Sequence, residues 1–237
     1  MTLLLIFILT HLLTDFVLQT DRLVARKRTG ERLAMIHHGL IHLVVGVILL
    51  ALCGQLIVLN MLSLVLLSLG HVLLDMGKQR LKALLPRGET VVFLFDQALH
   101  LSLIFVLALL VQPIRWLLLS PTDRVLGILI TIVFTLWSAG ILIGCLLEDL
   151  RLREIEPGLL QTSRPAIGRY IGYLERGLIA FFLLSGSIAS LALLATFKTL
   201  ARFRQLDDQA FAEYYLLGTL LSLSFGIAGS FMLRIFI

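Results

Sequence analysis

Residues 1–21 read MTLLLIFILTHLLTDFVLQTD. The first ten carry no charge, and His11, Asp15 and Gln19 then follow at steps of four. Four residues make about one helical turn, so on a helix these three polar groups share one face of a greasy segment. The stretch lacks the basic start and the small-residue cleavage site of a signal peptide. It reads as a retained first membrane span carrying a polar stripe.

The rest of the chain extends that reading. Of its 237 residues 59% are hydrophobic, with mean hydropathy +1.00, against roughly 45–50% apolar in soluble domains. Long apolar runs recur to the end, which predicts an all-α polytopic bundle in which each crossing needs about 20 apolar residues. Spans are expected near 2–19, 34–53, 56–76, 91–112, 124–147, 177–197 and 212–235, seven in all. Residues 1–112 form a four-helix polar half, and 113–237 a three-helix half with a cytoplasmic loop at 148–176. That loop contains Pro157 and Pro165 and has room for a short surface helix around RPAIGRYIGYLE.

The net charge is +5 and the pI about 9.6. The basic residues flank apolar spans, which points to membrane orientation and away from nucleic acid. Thirteen lie in the loops after spans one, three and five: Arg22, Arg26, Lys27, Arg28 and Arg32; Lys78, Arg80, Lys82 and Arg87; Arg151, Arg153, Arg164 and Arg169. Five lie opposite, at Arg115, Arg124, Lys198, Arg202 and Arg204. That asymmetry places the N-terminus outside and the C-terminus inside. The cluster FKTLARFRQ breaks the pattern, which a re-entrant span six would explain. Cys53 and Cys145 imply no disulfide and have no metal-ligand spacing.

All six histidines fall in the first hundred residues. Each of the first four spans carries a pair four residues apart: His11/Asp15, His38/His42, His71/Asp75 and Asp96/His100. At about 1.5 Å per residue, His11, His42 and His100 reach a common depth of roughly 12–14 Å below the inner surface. An ionised group at the membrane centre costs about 2.5–3.5 kcal/mol on insertion scales, so these groups must satisfy one another or a ligand. Imidazole and carboxylate suit zinc first, then manganese or iron. The eight residues His11, Asp15, His38, His42, His71, Asp75, Asp96 and His100 would serve one or two such ions. A metal-free proton relay or hydrogen-bond network is the alternative.

His38 is favoured over His37 because it shares a face with His42. Asp15 and Asp96 are candidate general bases, and Gln19, with Gln97, can orient ligands by hydrogen bonds. Lys78 would hold an anion at the mouth, or snorkel from a helix end. Lys198, Arg202 and Glu213 form ion pairs within the bundle or, for the two cations, meet an anionic lipid head group. Small residues in LLSGSIAS and GTLLSLSFGIAGS give spans six and seven faces for close packing or for a homodimer.

The segments HLLTDFVLQTDRLVARK, HVLLDMGK, FLFDQALH, IGYLERGL, FKTLARF and EYYLLGTLLS together resemble a bacterial family of integral membrane proteins, domain of unknown function 3307. The resemblance runs over nearly the whole chain. It puts His11, Asp15, Gln19, His38, His42, His71, Asp75, Lys78, Asp96, Gln97 and His100 among the family's signature positions. Glu175, Lys198, Arg202, Glu213 and Gly218 follow in the C-terminal half, where FKT stands in place of AKS. A fainter similarity, in the placement of His and Asp at helix ends, is to inner-membrane metal-dependent hydrolases.

The expected function is hydrolysis of a lipid or lipid-linked (phospho)ester at the inner leaflet. The competing readings are ion- or proton-coupled transport and a metal-binding membrane module without catalysis. The chain shows no internal repeat, and its stripes occupy one leaflet, which disfavours transport.

Overall fold

A computed structural model describes residues 1–84, 88–112, 119–154 and 165–237. The described residues are helical, without strands, and form two compact units, Met1–Val133 and Phe134–Ile237. Arg87, Arg115, Pro157 and Arg164 lie outside them.

The first unit is built around α1, Thr2–Leu12. Its sequence TLLLIFILTHL is apolar on every face, and a helix hydrophobic all round is stable only when surrounded. Nine of its eleven residues are buried, and it packs against α3 (Arg32–Leu52), α5 (Glu89–Val111) and α6 (Pro121–Val133). The Thr10 and Thr14 hydroxyls donate to the carbonyls of Ile6 and Thr10 at 2.8 and 2.7 Å. Such back-bonding loosens a helix, and the next turn, Leu13–Val17, is a π-helix closed by Leu18 N–H to the Leu13 carbonyl. The chain then bends by 90° into α2, Asp21–Arg28. Thr20 caps α2 by accepting from Leu23 N–H at 3.3 Å.

Helix α3 buries Met35, His38, Gly39, His42, Gly46 and Leu50, a stripe at steps of three and four. Helix α5 buries Val92, Asp96, His100, Ile104 and Ala108, each four from the last. Between them runs α4, Val58–Leu84. A Cβ on Gly39 would stand 2.4 Å from Val72 Cγ2, and one on Gly46 2.4 Å from Leu64 Cδ1. These two glycines let α3 and α4 approach closely enough for their histidines to touch.

In the second unit the π-helix Phe134–Ser138 leads into α7, Ala139–Glu154. Helices α8 (Pro165–Leu184), α9 (Ile188–Arg202) and α10 (Gln209–Phe236) follow. Arg176 is buried, and its Nε and Nη2 donate to the carbonyls of Thr135 and Leu136 at 2.7 and 2.6 Å. One guanidinium thus serves two carbonyls of the irregular turn. Gly226 and Gly229 of α10 lie against Ile179 and Thr135, so that small-residue face is filled from within the chain.

Among the described residues, five helices are long and apolar enough to cross a membrane: Arg32–Leu52, Val58–Lys82, Glu89–Val111, Pro121–Leu150 and Gln209–Phe236. Thr2–Val17 and Asp21–Arg28 qualify together as one bent pair. The expected span 177–197 is not a single helix, because the chain turns at residues 185–187, with Gly186 at φ 71°. The expected loop 148–176 is also shorter. Helix α7 continues to Glu154, and α8 starts at Pro165, where proline fits a first helical turn. No separate surface helix stands at RPAIGRYIGYLE, since α8 runs on through Leu184.

Candidate metal centre

The cluster lies in the first unit and draws on five segments. Helix α1 supplies His11 and the π-turn Asp15, α3 supplies His38 and His42, α4 His71 and Asp75, and α5 Asp96 and His100. The fifth, α2, brings Lys27. All four stripes point inward: seven of the eight side chains are buried, and Asp15 is 10% exposed at its side chain. His37 is exposed and His38 fully buried.

His71 is the hub. Its ring lies 4.5 to 5.6 Å, centroid to centroid, from those of His100, His42, His38 and His11. Its Nε2 stands 3.0 Å from His38 Nε2 and 3.2 Å from Asp15 Oδ1. His38 Nε2 is in turn 2.9 Å from Asp15 Oδ1. Asp75 Oδ2 forms a fourth corner, 3.7 Å from His38 Nε2 and 4.0 Å from His71 Nε2. His71 therefore links His11, His42 and His100, which the helix rise sets at one depth, to His38 and Asp15.

Proton counting shows what this packing asks for. Each of these four atoms is an acceptor unless protonated, and two imidazole nitrogens with a carboxylate oxygen between them share few protons. His11 adds to the argument. Its Nε2 faces the Gln97 carbonyl oxygen at 3.1 Å, an acceptor whose orientation is fixed by Gln97 Nε2 donating to Asp96 Oδ2 at 3.2 Å. His11 Nε2 therefore carries the proton, and its bare Nδ1 faces Asp15 Oδ2 at 3.6 Å. His100 Nδ1 donates to the Asp96 carbonyl at 2.8 Å, which leaves Nε2 a lone pair with no partner. His42 Nδ1 meets Ser68 Oγ at 3.0 Å, and its Nε2 is also orphaned. Buried imidazole nitrogens without a hydrogen-bond partner, set beside carboxylates, fit a cation.

Among the described residues, three overlapping sets bring candidate ligand atoms close together: His11, Asp15 and His71; His38, His71 and Asp75; and Asp75, Asp96 and His100. His42 belongs to none of them. It stacks on His71 at 4.6 Å and supports the hub from the side.

Lys27, by sequence a loop charge, and Ser68 also belong to the cluster. Lys27 Nζ bonds Asp75 Oδ2, and Lys78 Nζ bonds Asp96 Oδ2 at 2.7 Å. The available signal was the spacing Leu23–Lys27, which makes one face of α2 from a leucine and a lysine stem; both are buried. The Gln19 side-chain carbonyl accepts from Lys27 Nζ at 2.8 Å, and its amide nitrogen donates to the Asp15 carbonyl at 3.1 Å. Gln19 thus touches the Asp15 backbone and Lys27.

The remaining candidates stand in the second unit. Lys198 Nζ bonds both Glu175 oxygens at 2.6 and 2.7 Å and lies over the Tyr215 ring. Arg202 donates to Gln205 Oε1 at 2.9 Å, and Glu213 accepts from Gln209 Nε2 at 2.9 Å.

A family model described as Protein of unknown function (DUF3307) matches residues 3–126. The match contains the whole cluster and stops short of the C-terminal motifs, so it covers about half of the length over which the resemblance was drawn. No curated protein and no solved structure matches the chain.

Proposed function

We propose that this chain, which belongs to the DUF3307 family, is a multi-pass membrane protein with a divalent transition-metal centre that hydrolyses a lipid or lipid-linked (phospho)ester at the inner leaflet of a bacterial membrane. One observation carries the reading. His38 Nε2 and His71 Nε2 stand 3.0 Å apart, and each lies 2.9 to 4.0 Å from Asp15 Oδ1 and Asp75 Oδ2. A tetrahedron with metal–ligand bonds of about 2.0–2.1 Å has edges of about 3.3 Å. The mixed imidazole and carboxylate donors favour zinc, with manganese or iron as the other choices.

Bound there, the ion would supply Lewis acidity toward an ester oxygen. The surrounding residues have separate tasks. Asp96 and His100, beside Asp75, would accept a proton from the attacking water. Lys78, whose ammonium sits on Asp96 and is part-exposed, would meet negative charge developing on the substrate. Helix α1 and its neighbours exclude bulk water, which strengthens each of these interactions. A site some 12–14 Å deep by the helix rise suits a substrate that partitions into lipid.

A second reading, passage of a cation or proton without catalysis, has its own support: Lys27 and Lys78 already neutralise two of the three carboxylates. Elemental analysis of the purified protein separates the possibilities. The wild type is expected to hold about one equivalent or more of transition metal, and His71→Ala and Asp15→Asn less than about a fifth of that. A folded wild type free of metal sinks the metal centre and the hydrolase with it. Metal content with cation uptake into proteoliposomes, and no lipid turnover, replaces the hydrolase by transport.

A further inference from the structure

The second unit contains a reversal that hydropathy did not resolve. Glu175 on α8 and Lys198 on α9 are 23 positions apart, about 35 Å along a continuous helix, yet their charges meet at 2.6 Å. The chain therefore folds back on itself at residues 185–187. The stop is well built: Ser187 N–H bonds the Phe182 carbonyl at 2.9 Å across Gly186, whose φ of 71° suits glycine at the end of a helix.

We infer that α8 and α9 form a re-entrant hairpin that enters and leaves the membrane on the cytoplasmic side, seated in a leaflet of anionic lipid, with the C-terminus on the opposite side. The inference rests on the membrane reading above and is independent of the metal. Length sets the depth. From the ion pair to the turn, the apolar arms are residues 177–184 and 188–197, about 12 and 15 Å long, roughly half of a hydrocarbon core about 30 Å thick. Helix α9 buries none of its residues within the protein, and Ile188, Leu193 and Phe197 of its apolar arm are exposed. Lipid tails match that surface. At the mouth, Lys198, Arg202 and Arg204 stand where anionic head groups would be.

The hairpin also removes the charge anomaly. If α9 returns to the side from which α8 set out, the basic residues 198–204 join Arg151, Arg153 and Arg169 on one face, as the positive-inside bias requires. Helix α10, long enough to cross, then carries the chain to the other face. That reverses the C-terminal side expected from seven simple spans.

Single cysteines at Tyr170, Arg204 and Ile237, all exposed, test this in a chain carrying Cys53→Ala and Cys145→Ala. Y170C and R204C should react with a membrane-impermeant maleimide only in inside-out vesicles, and I237C only in right-side-out ones. Labelling of Y170C and R204C from opposite faces, or of I237C and R204C from the same face, overturns the hairpin. Release of the whole protein by alkaline carbonate would instead overturn the membrane reading beneath it. In nanodiscs, hydrogen exchange across residues 188–205 should slow when phosphatidylglycerol replaces part of the phosphatidylcholine; equal exchange in both removes the anionic head group from the proposal.

Discussion

Lys27 is 8% exposed and bonded to a carboxylate that is itself buried. Removing one partner of such a pair leaves the other charged and dry. Lys27→Met is expected to cost about 3–5 kcal/mol in detergent unfolding, with much of the loss recovered in Lys27→Met/Asp75→Asn. Added zinc should rescue the single variant more than the double one, because only the single variant keeps the Asp75 carboxylate as a ligand. Equal rescue would separate Lys27 from the metal centre. The eight polar residues also differ in rank. His42 bonds Ser68 and joins no coordinating set, so His42→Ala should keep most of the bound metal, whereas His71→Ala should lose it. Elemental analysis of the two proteins decides.

At the scale of elements, the cluster depends on how closely α3 and α4 run. The Cβ of Gly39→Ala would meet Val72, whose branched side chain has essentially one rotamer in a helix. Overpacking of this kind costs about 1–3 kcal/mol, and it should lower metal content as well as stability, since His38 and His42 flank the contact. Stability loss with full metal content would mean that the helices can part without opening the site. In the second unit, Arg176→Met removes the donors to two carbonyls of a π-helix. Each buried carbonyl left unpaired costs about 1–3 kcal/mol. Arg176→Lys should restore only part of that, because an ammonium lacks the guanidinium fork. Thermal unfolding of the three proteins measures the ranking.

For the molecule as a whole, all the ligand candidates sit in the Met1–Val133 unit. Chelation should therefore speed hydrogen exchange in α1 through α5 and leave α8 and α10 unchanged. A ligand at a hundred times its dissociation constant stabilises by about 2.7 kcal/mol, which fixes the scale of the shift expected in the first unit. Exchange that rises equally in both units would place the ion elsewhere.

Periodicity and hydropathy alone were sufficient for the apolar helices near 34–53, 56–76, 91–112, 124–147 and 212–235 and for the four polar pairs, because helical spacing is a local property. Four polar stripes on apolar helices also announced a shared interior, since charged groups in apolar helices must find one another. The hub role of His71, the capture of Lys27 by Asp75 across 48 positions, and the reversal at Gly186 belong to the tertiary structure. Each depends on where the chain bends: at the π-turn that aims Asp15 and swings α2 through 90°, and at residues 185–187. A sliding window records how apolar a stretch is. It does not record that two such stretches lie side by side, because that follows from the direction of a turn of a few residues and from which side chains leave room for a neighbouring helix.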